Sequence, residues 1–243
     1  MDIDLSLQNA IVTGGGKGYG QGIAEALKNY GAQVWITGRD EEALKSASSR
    51  LGVRYMRADV TKPEDWDRLI ESVLQKEGKI DILVNNAGAG VHIAPLQEQS
   101  DSEILSSLSV NLNGVILGCR RVVPHMKKLR SGCIVNISSV CARQAWPGWS
   151  VYSAAKAGIV QFSNCLYTEL REWGIRVTSV IPSWGNAGFS KAAHLAEFDS
   201  ETNARSIQPN ELGELVASIC ALPAHLEIQD VTIWPLVQKV EPL

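Results

Sequence analysis

No stretch of this chain is apolar for long enough to cross a bilayer, which takes about 20 consecutive residues, so no membrane-spanning role is expected. No run of lysine and arginine stands out, and 23 basic against 26 acidic residues leave a formal net charge of −3. Neither nucleic acid nor an anionic membrane surface is therefore an expected partner. The five cysteines (Cys119, Cys133, Cys141, Cys165 and Cys220) are scattered and odd in number, with no Cys-x-x-Cys pair. They read as small buried apolar residues in a reducing cytoplasm rather than as disulfides or metal ligands. The four histidines, His92, His125, His194 and His225, lack ligand spacing, and no catalytic metal is expected. The start, Met1-Asp2-Ile3-Asp4, is acidic and has neither the basic nor the apolar region of a secretion signal, so a cytoplasmic location is expected. Repeats, low-complexity tracts and linkers are also missing. The 243 residues, 45% of them hydrophobic, suit a single domain spanning 1–243 with a sizeable core.

What is present alternates. Short apolar runs at 8–13, 33–37, 53–57, 80–84, 132–137, 175–181 and 228–234 read as strands. Helical patterns fall between them: from the glycine turn to Gly31, 40–51, a helix capped by Thr61 with Pro63 in its first turn to about Glu77, one long helix over 101–130, a helix from about residue 150 to 173, and 209–222. Strands alternating with helices predict an α/β fold, a doubly wound, Rossmann-type parallel sheet of about seven strands. The irregular stretch 183–207 is expected to act as a substrate lid. In such sheets ligands bind off the carboxyl ends of the strands, so residues that follow strands should share one site.

Gly14-Gly15-Gly16-Lys17-Gly18-Tyr19-Gly20 follows the first strand and opens a helix. That is the setting for a dinucleotide pyrophosphate at a helix N-terminus. Gly38 and Arg39 end the second strand, where an acidic residue would bind the ribose of NAD; Asp40 is next along the chain. Arg39 together with Lys17 favours a 2′-phosphate, hence NADP(H) over NAD(H). Asn85-Asn86-Ala87-Gly88 puts amides at a strand end, for a cofactor or for neighbouring backbone. Tyr152 and Lys156 lie one helical turn apart, 13 residues after Ser139 in the case of Tyr152. A tyrosine titrates near about 10, and an ammonium beside it is expected to lower that value and make it an acid/base at working pH. Asn111 is a poor helix-interior residue, so a local backbone or water contact, a cap or a kink are all open.

The whole set, in order and at these spacings, resembles the short-chain dehydrogenase/reductases, in their single-domain branch, over nearly the whole chain. Thr13-Gly14-x-x-x-Gly18-x-Gly20 is similar to the family's cofactor turn, Asp59 to its adenine-contacting aspartate, and Asn85 to Gly88 to its Asn-Asn-Ala-Gly motif. Asn111, Ser139, Tyr152 and Lys156 match its catalytic four. The resemblance implies that Tyr152 is general acid in reduction and base in oxidation, Lys156 lowers its pKa and holds the nicotinamide ribose, Ser139 orients the substrate oxygen, and Asn111 holds a water linking Lys156 to solvent. It implies cofactor contacts from Gly14, Gly16, Lys17, Gly18, Tyr19, Gly20, Arg39, Asp59, Val60, Asn86, Ala87, Gly88, Tyr152, Lys156, Pro182 and Ser183. It also implies a homotetramer or homodimer formed through the 101–130 and Tyr152 helices.

Departures lie late in the chain. The family's Pro-Gly-x-x-x-Thr, whose threonine touches the carboxamide, reads Pro182-Ser183-Trp184-Gly185-Asn186-Ala187, and the usual strand Asn is Thr178. Asn186 or Ser190 would have to substitute. The ending, Asp230 to Leu236, resembles a subgroup acting on small hydroxy acids, aldehydes or sugars. The expected activity is NADP(H)-dependent interconversion of a small carbonyl compound and an alcohol. The alternatives are the same chemistry with NAD(H), or a nucleotide-binding sensor without turnover. Val140, Trp146, Trp149, Trp184 and Phe189 are the expected pocket walls, with His92, Arg143, Gln144 and Lys191 as groups able to meet polar or anionic substituents.

Overall fold

The structure is a computed structural model, and it describes residues 3–88, 92–189, 193 and 199–238. Seven parallel strands form one sheet in the order β3-β2-β1-β4-β5-β6-β7. They are β1 (Asn9–Thr13), β2 (Gln33–Gly38), β3 (Arg54–Arg57), β4 (Ile82–Asn85), β5 (Gly132–Ile137), β6 (Ile175–Pro182) and β7 (Asp230–Ile233). Seven strands were expected, and the edge strands β3 and β7 are shorter than their apolar runs.

Successive strand residues point to opposite faces, and this splits the core in two. Ala10, Val12, Ile36, Ile82 and Val84 pack under α1 (Gly18–Asn29), α2 (Glu41–Leu51) and the Pro209–Cys220 helix. Ile11, Leu83, Ile134 and Val177 pack under α3 (Pro63–Glu77), α5 (Gly114–Leu129) and α6 (Ser150–Leu170). Both faces are covered, as an all-parallel sheet requires.

Three local readings are corrected. Thr61 does not cap α3. The N-cap is Lys62, and Thr61 turns back to bond Asp59 through its N–H (3.0 Å) and hydroxyl (2.8 Å). The 101–130 helix is not uniform: α4 (Asp101–Leu108) passes through a π-helical turn, Ser109–Asn113, into α5. Such turns accommodate one extra residue and cluster at functional sites. Of the cysteines, Cys165 is exposed while the other four are buried.

The stretch after β6 is less irregular than expected. It contains α7 (Ser200–Ala204) before α8 (Pro209–Cys220), and its ends are pinned together. Ile207 N donates to Trp184 O (3.0 Å) and Asn186 N to Ile207 O (2.9 Å).

Candidate active site

The carboxyl ends of the strands open into one cavity of about 810 Å³. At its inner end is the glycine turn. Two of its glycines shape the turn rather than face the cavity. Gly18 has φ +55° and lies against Ala187 O, while a Cβ on Gly20 would come within 2.2 Å of Gly14 O. Gly14, Gly16, Lys17 and Tyr19 line the space itself. The N-terminus of α1 has no side-chain cap and no acidic residue in its first turn. Its exposed N–H groups and dipole suit a phosphate, so the residues present fit the pyrophosphate of a dinucleotide.

Asn86 holds this turn in shape. Its side-chain N–H donates to Thr13 O (2.9 Å), and the Thr13 hydroxyl receives the N–H groups of Asn86 (3.0 Å) and Ala87 (2.9 Å). Of the two roles open to these amides, Asn86 serves neighbouring backbone. Asn85 is buried and donates to Asn136 Oδ1 (2.9 Å), and Asn136 donates to Ser163 Oγ (2.9 Å). This buried chain ties β4 to β5 and α6 beneath the site.

Arg39, Asp59 and Val60 line the next part, at the ends of β2 and β3. Asp40 caps α2, accepting from Ala43 N (3.1 Å), and stands 4.0 Å from Lys17. The Lys17 charge is thus partly answered by a carboxylate. A cation that the sequence reading missed is beside Arg39 instead. Register pairs Gly38 with Arg57, and Arg57 Nε donates to Arg39 O (3.2 Å). Arg57, Lys62 and Arg68 line a second hollow that shares Arg39, Ala58 and Asp59 with the main cavity. Strand pairing, not sequence distance, was the signal.

Asn111, Ser139, Tyr152 and Lys156, the four that resemble the family's catalytic set, line the same cavity. Ser138 and Ser139 part ways at the end of β5. The Ser138 hydroxyl donates to Lys156 O (2.8 Å), while Ser139 Oγ accepts from Cys141 N (3.3 Å) and interacts with Tyr152. Lys156 is buried, donates to Ile137 O (3.0 Å), and holds its ammonium 5.6 Å from the Tyr152 ring centre. Asn111 sits in the π turn, where its amide folds back to Ser107 O (2.9 Å) and its Oδ1 faces Gly88.

The expected electrostatics are corrected here. Burial raises the Tyr152 phenol above its ordinary value, with the neighbouring Cys141 acting the same way and Ser139 opposing. Burial also lowers Lys156, from 10.5 to about 8. Desolvation disfavours the charged form of each, and on the phenol it outweighs the opposing hydrogen bond from Ser139. Tyr152 is therefore held as a neutral proton donor.

At the outer end, Trp146, Trp149, Tyr152 and Phe189 form a small aromatic cluster with Cys141. Trp184 lines the same end, 37% exposed. Pro182 and Ser183 line the cavity between the two ends. Gln238, from the stretch after β7, was also missed: its Oε1 accepts from the Ser183 hydroxyl (2.5 Å) and Trp184 N (3.2 Å). The Asn186 amide donates to Gln208 Oε1 (3.1 Å). Ser190 and Lys191 lie outside the described residues. Arg143 is committed to Asp230 and Thr232 (both 2.8 Å), and His92 faces Glu103 (3.1 Å). Among the described residues no group of three or more His, Cys, Asp or Glu is placed to hold a metal ion, and no helix is long and apolar enough to cross a membrane.

The family model for short chain dehydrogenases matches residues 8–197. The chain belongs to this family. An uncharacterised oxidoreductase of Staphylococcus saprophyticus is 32% identical to this dehydrogenase family member over 242 residues, covering 96% of this chain and all of that one. A serine dehydrogenase in complex with NADP+ superposes with a TM-score of 0.88 at 29% identity, over 97% and 98% of the two chains. A 3-ketoacyl-(acyl-carrier-protein) reductase from Brucella melitensis, in complex with NADH, gives 0.87 at 31% identity, over 94% and 98%. The chain is thus an oxidoreductase of this family, and its relatives carry both dinucleotides.

Proposed function

We propose that the protein is an NADP(H)-dependent carbonyl reductase and alcohol dehydrogenase in which Tyr152 is the acid/base. The observation that supports this best is the position of Tyr152. It sits with Ser139 and Lys156 where the phosphate-suited end of one cavity meets an apolar aromatic end. NADP(H), when bound, supplies or takes the hydride. The protein's own share is position and proton handling. Ser139 holds the carbonyl oxygen against the Tyr152 hydroxyl, and Tyr152, kept protonated by burial, gives its proton as charge develops on that oxygen. Lys156, titrating near 8, and Asn111 in the π turn restore that proton. Lys17, Arg39 and Asp59 receive the adenosine end.

The exposed Leu105 on α4 and Leu129 on α5 supply apolar surface for pairing of copies through that helical run, as a dimer or tetramer.

Tyr152→Phe tests the acid/base role. Reduction of a ketone panel, followed by NADPH absorbance, should fall by roughly 10²–10⁴-fold, with NADPH affinity from tryptophan fluorescence little changed. Full activity in Tyr152→Phe would reject the role. The same titration with NADH tests the phosphate reading, which requires NADPH to bind more tightly.

A further inference from the structure

The charged and the apolar linings of the cavity are separated along its length. Lys17, Arg39, Asp40 and Asp59 line the end formed by the glycine turn, β2 and β3. Beyond Tyr152 the described lining changes to rings. Trp149 meets Tyr152 edge-on at 5.8 Å, and Phe189 lies 5.4 Å from Tyr152 and stacks on Trp149 at 6.0 Å. Trp146 closes the cluster edge-on at 6.5 Å from Trp149. Val140, Cys141 and Ala193 add apolar surface.

Three described polar side chains near this end are committed elsewhere. Arg143 is bound to Asp230 and Thr232, and His92 to Glu103. The carbonyl of the Gln238 side chain is taken by Ser183 and Trp184. Lys156, 5.6 Å from the Tyr152 ring centre, is buried and bonded to Ile137 O.

We infer that the substrate of this site is an uncharged carbonyl compound, or the matching alcohol, with an aryl or similarly bulky apolar group next to the reacting carbon. The inference rests on the reading of Tyr152 as acid/base. A carbonyl oxygen held at Tyr152 and Ser139 places its substituents against Trp149 and Phe189. An aromatic substituent gains area burial and ring contacts there. A carboxylate in the same place loses its water and, among the described residues, finds no uncommitted opposite charge, which is costly. A very small ketone leaves the rings without a partner. This parts the site from one built for hydroxy acids or amino acids, including the subgroup that the chain's ending resembles.

The test is a matched series with NADPH: an aryl methyl ketone, a short dialkyl ketone, and the pair methyl benzoylformate and benzoylformate, which share the aryl group and differ by a methyl ester against a negative charge beside the reacting carbonyl. The expected kcat/KM is at least tenfold higher for the aryl than for the short ketone, and at least a hundredfold higher for the ester than for the acid. Trp149→Leu should lower kcat/KM for the aryl ketone at least tenfold while NADPH affinity stays within twofold, which also reports an intact fold. Should that variant fail to fold, Phe189→Leu takes its place. Equal or faster turnover of the acid, or of the short ketone, overturns the inference and leaves the reductase reading standing. No turnover of any of the four, with NADPH bound, sinks both.

Discussion

At the glycine-turn end of the cavity the walls are strand ends and the residues just after them: Gly14, Gly38, Asn86, Ser139 and Pro182 come from the ends of β1, β2, β4, β5 and β6. At the aromatic end they come from the stretch after β5, the stretch after β6, and Gln238 from beyond β7. Beneath the first end, polar groups are paired deep in the core through Asn85, Asn136 and Ser163, and through Ser138 and Lys156. At the second, one side-chain oxygen of Gln238 holds Ser183 and Trp184 together. Fixed positions at the first end suit chemistry that needs precise placement. Segments hung from loops suit a surface that varies with substrate. The departures from the family's pattern at Ser183 and Ala187 fall between the two, with Ala187 O against Gly18 of the glycine turn.

The sharpest test of the rigid end is its buried cation. Lowering Lys156 from 10.5 to about 8 corresponds to about 3 kcal/mol of desolvation cost in the folded state. Below pH 8 both folded and unfolded chains carry the proton, and the whole cost is borne. Between pH 8 and 10.5 the folded chain loses the proton first, so wild-type stability rises with pH relative to a variant lacking the group. Lys156→Met should therefore be more stable than wild type at pH 7. The expected gain is the ~3 kcal/mol less about 1 for the lost hydrogen bond to Ile137. That gain should shrink toward pH 10. Urea midpoints at the two pH values measure it. A pH-independent difference would mean that Lys156 is not desolvated. Activity should be lost in the same variant, which would show function placed at a cost to stability.

The strand-end half of the site was legible in the sequence because its signals are local. Alternation of apolar runs gave seven strands, and glycines, amides and hydroxyls directly after them gave the edge where ligands bind. What escaped depends on pairing across the sheet or on burial. Arg57 lies 18 residues from Arg39, and only the β2–β3 register sets them side by side. Gln238 comes after the last strand, and its role depends on where β7 delivers it. The π turn at Asn111 was visible as a poor helix residue, without its geometry. The sign of the Tyr152 shift was wrong because spacing reports the nearby ammonium but not how dry the pair is.

Arg57 gives the middle-sized effect. If the adenosine end of the cavity reads a 2′-phosphate through guanidinium groups, Arg39→Ala and Arg57→Ala should each lower NADPH affinity about tenfold, roughly 1.4 kcal/mol. NADH affinity should stay within twofold in both. Lys17→Ala should cost less than either, because Asp40 already stands 4.0 Å from its ammonium. A Lys17 effect larger than that of Arg57 would return the phosphate to the glycine turn.

Gln238 tests the loop-hung half and should have the smallest global effect. It is 8% exposed, and its oxygen is the common acceptor for the Ser183 hydroxyl and the Trp184 N–H. Gln238→Leu keeps the volume and removes the acceptor. Part-buried donors that lose an acceptor cost about 1–3 kcal/mol, and the low end is expected here, because the backbone stays held by Ser183 N donating to Ile233 O (3.0 Å) and Ile207 N donating to Trp184 O (3.0 Å). The melting temperature should fall by about 2–4 °C, the shift expected for about 1 kcal/mol in a chain of this size. KM for an aryl ketone should rise several-fold while NADPH affinity stays within twofold. A fall in NADPH affinity matching the rise in KM would mean that the two ends of the cavity are one mechanical unit. Ser183 would then serve the cofactor more than the substrate.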